Sequence, residues 1–375
     1  MIEGRKLRMG MVGGGAGAFI GRIHRMAASL DNEIELVCGA FSSDPERSRE
    51  SGRDLHLPDA RVYADFAEMF AAEAALPESE RMDFVSIVTP NFMHAAPAIA
   101  ALDHGFHVIC DKPLAHSLDD ALAIRERVRA TGLHFALTHN YTGYPMVKEA
   151  RRLVREGAIG EIRKVMVEYP QFWMALRSSL GLPMPWRADP EKSGGSCCVG
   201  DIGTHAENLC EYVSGLELEA ICADLTSFVD GHELDDDANI LLRFRGGARG
   251  VLTASQVCPG EENALRLRVY GSEGAIEWNQ PEPNTLLLKS LHSYTRVLRS
   301  AGPGVGESAA RATRLPGGHP EGFIEAFANL YRAFAATLRG KPRGDFPGID
   351  DGVRGMQFID TVLKSSRSSQ KWTPV

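Results

Sequence analysis

The chain has 375 residues, 44% of them hydrophobic and 24% charged, enough to bury a large core and to divide into two domains. Its formal net charge of −8 gives no support to nucleic-acid binding, which usually needs a basic face. No stretch approaches the ~20 apolar residues of a membrane span.

Arg5-Lys6-Leu7-Arg8 followed by Met9 to Ile20 has the outline of a signal peptide, but its apolar part is crowded with glycine and runs into a helix-like stretch, so it reads as a first strand and loop. Ile2-Glu3-Gly4-Arg5 also matches a common protease-site linker. Seven cysteines without a CxxC pair or zinc spacing, and odd in number, fit reduced thiols in a cytoplasm. Cys197 and Cys198 are neighbours and too constrained for an ordinary disulfide.

Short apolar runs then alternate with helical patterns: Leu7 to Val12, Ile34 to Ala40, Phe84 to Val88, His107 to Cys110 and His134 to Thr138. That alternation predicts a parallel, doubly wound α/β sheet. Asp44-Pro45-Glu46 and Ser117-Leu118-Asp119-Asp120 supply helix N-termini. A boundary near Asn140 gives domains of 1–139 and 140–375. Beyond it come a helix from Tyr144 to Glu156, a strand from Arg163 to Tyr169, and a hairpin from Ala238 to Phe244 and Gly250 to Gln256 about Gly246-Gly247. Leu265 to Tyr270 and Ala275 to Trp278 follow, so the second domain is α+β with an antiparallel or mixed sheet. Ser300 to Gly318 reads as a long loop, and Pro320 to Leu338 as a helix.

The loop Gly13-Gly14-Gly15-Ala16-Gly17, leading through Phe19 and Ile20 to Gly21, has the composition that wraps a dinucleotide pyrophosphate, because side chains on the turn would block its approach to backbone N–H groups. A branched side chain at Gly15 is expected to occupy the pyrophosphate's place. The strict G-x-G-x-x-G spacing is not met, and a plain turn is the bland alternative. At the end of the second strand, Ser42, Ser43 and Arg47 suit a 2′-phosphate, Asp44 suits a ribose hydroxyl, and helix capping by Ser43 or Asp44 is an equal competitor. NAD and NADP are therefore both open.

Thr89-Pro90-Asn91 with His94, then Asp111-Lys112-Pro113, then Gly200-Asp201-Ile202-Gly203-Thr204-His205, resemble the successive signatures of the glucose-fructose oxidoreductase, inositol dehydrogenase and rhizopine catabolism (Gfo/Idh/MocA) family, across nearly the whole chain. Asp111 stands where glutamate is more usual, and the glycine loop carries an extra Ala-Phe-Ile before Gly21. The resemblance implies a nicotinamide-dependent oxidoreductase acting on a sugar, cyclitol or glycoside, with an N-terminal Rossmann domain and a C-terminal open sheet that often mediates homo-oligomerisation as a dimer or tetramer. Taken with the glycine loop, the end of the second strand and the polar and aromatic residues near the boundary, the expected cofactor set is Gly13, Gly15, Ala16, Gly17, Phe19, Ile20, Ser42, Ser43, Arg47, Thr89, Pro90, Asn91, His94, Asp111, Lys112, Pro113, Asn140, Trp186 and Arg187.

The residue chemistry agrees. A secondary alcohol loses hydride only as its hydroxyl proton is removed, so His205 qualifies as base, Lys112 as a donor to the same oxygen, and Asp201, one turn before His205, as a partner of the base or of a neighbouring hydroxyl. Each has a dull counterpart: a solvated lysine, a structural histidine, a helix cap. Tyr141 is a further catalytic candidate and lies with Trp173 beside the sugar, and His319 is one that reaches it from a loop. Asp235-Asp236-Asp237 has the look of a metal site but precedes a strand, and reads as a solvated turn with no metal. Two rivals stand beside the dehydrogenase: a redox-neutral glycosidase using bound NAD transiently, and a dinucleotide sensor with no need of Lys112, Asp201 and His205.

Overall fold

The computed structural model describes residues 4–375, so Ile2 and Glu3 of the linker-like stretch lie outside it. The chain forms two units, one comprising residues up to Asn140 together with Phe327–Val353, the other Tyr141–Ala326 and Arg354–Val375.

The first unit alternates β1 (Leu7–Gly13), α1 (Phe19–Leu30), β2 (Ile34–Ala40), α2 (Pro45–Asp54), α3 (Phe66–Ala75), β3 (Phe84–Val88), α4 (Ala95–Asp103), β4 (His107–Cys110), α5 (Leu118–Thr131) and β5 (Phe135–Leu137). The five strands are all parallel, in the order β2-β1-β3-β4-β5. Because β1 has β2 on one side and β3 on the other, crossovers leave it in opposite directions and a crevice opens beyond the carboxyl ends of β1 and β3, where such sheets hold ligands. The predicted caps form: Asp44 accepts from the N–H groups of Glu46 and Arg47, and Ser117 from that of Asp120. The β3 side chains are wholly buried, as a parallel sheet covered on both faces requires.

The second unit contains α6 (Pro145–Arg155), β6 (Ile162–Pro170), α7 (Trp173–Ser179), α8 (Pro190–Ser193), α9 (Thr204–Ser214), β7 (Leu218–Thr226), β8 (Asp237–Phe244), β9 (Arg249–Ser255), β10 (Arg266–Gly271), β11 (Gly274–Asn279), β12 (Thr285–Ser290), β13 (Arg296–Arg299) and α10 (Glu307–Arg311). Among the described residues its sheet has nine strands, in the order β13-β12-β11-β10-β6-β9-β8-β7-β14, with β14 at Thr373–Pro374, and of these only β6 and β9 pair in parallel. The sheet is mixed, as expected. The hairpin β8–β9 turns on Gly246 and Gly247 at φ of 84° and 99°, a conformation open to glycine. The expected loop from Ser300 to Gly318 carries the short helix α10, and α11 (Phe323–Leu338) and α12 (Ile349–Ser366) follow it. From Phe327 onward α11 belongs to the first unit, where Tyr331, Phe334 and Phe346 pack on Phe84 or on each other.

Candidate functional site

In the first unit the glycine loop runs from the end of β1 to α1. Gly14 and Gly21 touch: a Cβ on Gly21 would stand 2.3 Å from Gly14 Cα, which no rotamer change relieves. Gly21 thus provides the close strand–helix packing that the expected third glycine of the motif would give, which accounts for the irregular spacing. Gly17, at φ 81°, has open space around its Cα, and α1 begins with no side-chain cap and no acidic residue in its first turn. A helix start of this kind leaves its first N–H groups and positive dipole end to an anion. The cradle therefore fits a dinucleotide pyrophosphate. Gly15 differs from expectation. A side chain there would meet Ser51 Oγ at 2.6 Å and Phe41 O at 2.9 Å, so it would strike the β2–α2 framework and not a ligand. Ser51, which also accepts from Ala16 N, and Arg25, which donates to Gly14 O at 2.6 Å, shape the loop without any sequence signal. Phe19 and Ile20 open α1, with Phe19 72% exposed.

At the end of β2, Asp44 is occupied as the α2 cap and Ser42 accepts from Asp44 N, while Ser43 and Arg47 are exposed. At the end of β3, Thr89 donates to Met93 O across the turn containing Pro90 and Asn91. His94 does not face outward. Its ring nitrogens lie 2.8 Å from Pro113 O and 2.9 Å from Thr89 O, so this buried ring ties the β3 loop to the β4 loop. The β4 loop carries Asp111, Lys112 and Pro113, with a cis bond before Pro113. Burial alone would raise the Asp111 carboxyl. His24, with Nε2 at 3.8 Å, the Lys112 charge and the Thr138 hydroxyl at 2.7 Å outweigh it and hold Asp111 well below the usual carboxylate range. His24 is fixed from behind by Tyr331 and Ser86, so the segment presenting Lys112 is anchored in a buried polar network. Asn140, 2% exposed, carries an Nδ2 with no hydrogen-bond partner among the described residues.

The second unit assembles the other predicted residues. Asp201 sits in a π-helical turn, Val199–Gly203, that leads into α9, and His205 lies in the first turn of α9, 8% exposed. Such turns recur at functional sites. Asp201 accepts from Arg187 Nε at 3.4 Å and Gln256 Nε2 at 3.1 Å, and Arg187 in turn stacks on Trp186. Tyr141 meets His205 edge-on, with ring centroids 4.9 Å apart.

The hydroxyl of Tyr141 belongs to a chain whose direction can be read. The Trp173 indole can only donate, so the Gln171 atom it reaches is the oxygen; Gln171 Nε2 then donates to Asn263 Oδ1, and Asn263 Nδ2 donates to Tyr141. Tyr169 donates to Asn263 Oδ1, which leaves the Tyr141 proton for Tyr169. Burial pushes the Tyr141 phenol up to about 12. That arrangement suits an orienting hydroxyl, not a base active near neutrality. Gln171, Gln256 and Asn263 were not singled out, since one amide at a strand end has no sequence pattern. His319 lies on an exposed loop, its ring near Pro316 O.

The aspartate triplet is a correction. Asp235 and Asp236 are buried, not solvated: Asp235 accepts from Ser196 Oγ and from the N–H groups of Cys197 and Val199, and Asp236 from those of Phe228 and Val229. Loop N–H groups compete better than water once the turn is covered. Burial raises Asp235 above the ordinary carboxylate value while these donors pull it back.

Residues 7–140 match the model of an oxidoreductase family with an NAD-binding Rossmann fold, and residues 147–277 that of the GFO/IDH/MocA C-terminal domain. The chain belongs to the GFO/IDH/MocA oxidoreductase family. A solved oxidoreductase from Sinorhizobium meliloti is 47% identical, with a TM-score of 0.90 over 98% of this chain and 99% of that one. An inositol dehydrogenase homologue from Azotobacter vinelandii, solved with NADH and myo-inositol, is 33% identical, with a TM-score of 0.91 over 99% and 98%. The levoglucosan dehydrogenase of Pseudarthrobacter phenanthrenivorans is 27% identical over 99% of this chain and 98% of its own. The protein is an oxidoreductase with an NAD-binding Rossmann domain. Among the described residues no helix is long and apolar enough to cross a membrane.

Proposed function

We propose that this oxidoreductase is a dehydrogenase that oxidises a secondary hydroxyl of a sugar or cyclitol with NAD or NADP. The observation that carries the reading is the meeting of Asp201, His205 and Tyr141 in one unit of a chain whose other unit holds Lys112 beside a dinucleotide cradle. A relative solved with myo-inositol and another named for levoglucosan support the substrate class.

Bound nicotinamide supplies the hydride acceptor. In this reading His205 takes the hydroxyl proton as general base. Lys112 donates to the same oxygen and stabilises its developing negative charge. Asp201, held by Arg187 and Gln256, binds a neighbouring hydroxyl or orients His205. Trp173 and Tyr141 line the sugar, and Gly13, Ala16, Gly17, Thr89, Asn91 and Asn140 serve the dinucleotide. We place the enzyme in the cytoplasm, where its seven free cysteines stay reduced. We also read it as a homo-oligomer, in line with the exposed Leu241 and Val297 on the strands of its open sheet.

The test is a panel of sugars, cyclitols and glycosides with each nucleotide, following nicotinamide absorbance and aglycone release together. Absorbance change without release is expected. Release without net absorbance change, or nucleotide binding with neither, overturns the dehydrogenase.

A further inference from the structure

We propose that Asp235 is a positioning residue for Asp201 and His205: from outside the helix it fixes where their segment begins. The inference rests on the catalytic reading of His205 given above. Four consecutive N–H groups, those of Cys197, Cys198, Val199 and Gly200, precede the first hydrogen bond within the segment, Asp201 N to Cys197 O at 2.8 Å. All four end on Asp235 or on a group Asp235 holds. Cys197 N reaches Oδ1 at 3.0 Å, Val199 N reaches Oδ2 at 2.8 Å, and Cys198 N reaches the Asp235 main-chain oxygen at 3.0 Å. Gly200 N reaches Ser196 Oγ at 3.0 Å, and that hydroxyl donates to Asp235 Oδ2 at 3.0 Å.

These are the orphan donors of a helix start, and an ordinary cap satisfies them from the adjoining residue. Here the acceptor comes from 36 to 39 residues downstream, at the entry to β8, so the sheet itself sets the register of the turn. A second tie leads to the same place. Asp236 O accepts from Gln256 N at 2.8 Å, and the Gln256 side chain holds Asp201. One dipeptide therefore places both the backbone before Asp201 and the amide that grips its carboxylate. Ser196, Cys197, Cys198 and Val199 are all buried, so water cannot take over the role.

Asp235→Asn keeps the shape but turns an NH₂ toward at least one N–H that donates: the Cys197 bond loses its acceptor in one amide orientation, the Ser196 and Val199 bonds in the other. Because a misplacement of about 1 Å in a catalytic group costs on the order of 10²-fold in rate, kcat should fall by roughly that factor while nucleotide Kd is unchanged and KM moves less than kcat. Ser196→Ala, which removes only the bridge to Gly200, should show a smaller loss in the same direction, and it decides the matter if Asp235→Asn does not fold. The diagnostic readout is a double-mutant cycle: in the His205→Ala background, Asp235→Asn should cost clearly less than in the native enzyme, since only the placement of Asp201 is left to lose, whereas general damage multiplies in full with the loss of the base. Folded single variants with normal kcat, or full multiplication in the cycle, overturn the positioning role. A His205→Ala enzyme with normal turnover removes the catalytic reading itself, a separate outcome seen in the single variant.

Discussion

Tyr141→Phe separates an orienting hydroxyl from a catalytic one. The substitution removes one donor and one acceptor from the closed ring of Tyr141, Tyr169 and Asn263, and leaves the half-buried Asn263 Nδ2 without its acceptor. Leaving such a donor unpaired costs about 1–3 kcal/mol, and at roughly 2–4 °C per kcal/mol for a unit of this size the melting temperature should fall by several degrees. Turnover should fall far less than the two to four orders expected for a lost general base, since the Tyr141 proton already points to Tyr169 and its phenol is pushed up to about 12. Calorimetric melting and a pH profile of kcat read the two effects together. A Tyr141→Phe enzyme that melts normally but loses orders of magnitude in kcat, with the pH limb gone, would refute the hydrogen-bond direction and make Tyr141 the base.

Lys112→Ala should lower kcat by about two to four orders of magnitude while dinucleotide Kd, by calorimetric titration, changes much less. If Arg47 pairs with a 2′-phosphate, Arg47→Ala should weaken NADP by roughly 1.5–3 kcal/mol and spare NAD; equal losses, measured by titration with each nucleotide, would count against the pairing. Burial and then the charge of a protonated His134 push the His107 imidazole down to about 4, below its ordinary value near 6.5, so the neutral form is favoured in the fold. That contribution is present above about 6.5 and is lost as pH falls toward 4, on the order of 3 kcal/mol at most. His107→Asn keeps an acceptor for His134 N, and it should flatten the decline of the urea midpoint between pH 7 and 5.

The strands of the first unit were legible because parallel strands covered on both faces read as unbroken apolar runs, and β2, β3 and β4 fall on the expected residues. The hairpin β8–β9 was legible through its two glycines. Strands β7, β12 and β13 were not, since their half-exposed alternation is hard to tell from a polar loop. Nothing local in Phe323–Leu338 says that its later turns cover the first sheet, because an apolar helix face does not name its partner. The motif residues Lys112, Asp201 and His205 were found in order along the chain, but Gln171, Gln256 and Asn263 enter only when strand ends converge. Asp235 was misread for the same reason: three adjacent carboxylates look solvated until the loops that donate to them are folded over.

Whether His205 takes the substrate proton is read from kcat against pH for the native enzyme and His205→Ala, with nucleotide affinity titrated on the same samples. The oxidation rate of the native enzyme should rise with pH as the base loses its proton. His205→Ala should lose about two to four orders of magnitude in kcat and flatten that limb, with dinucleotide Kd nearly unchanged. A folded His205→Ala enzyme that kept near-normal turnover and the same limb would contradict the account.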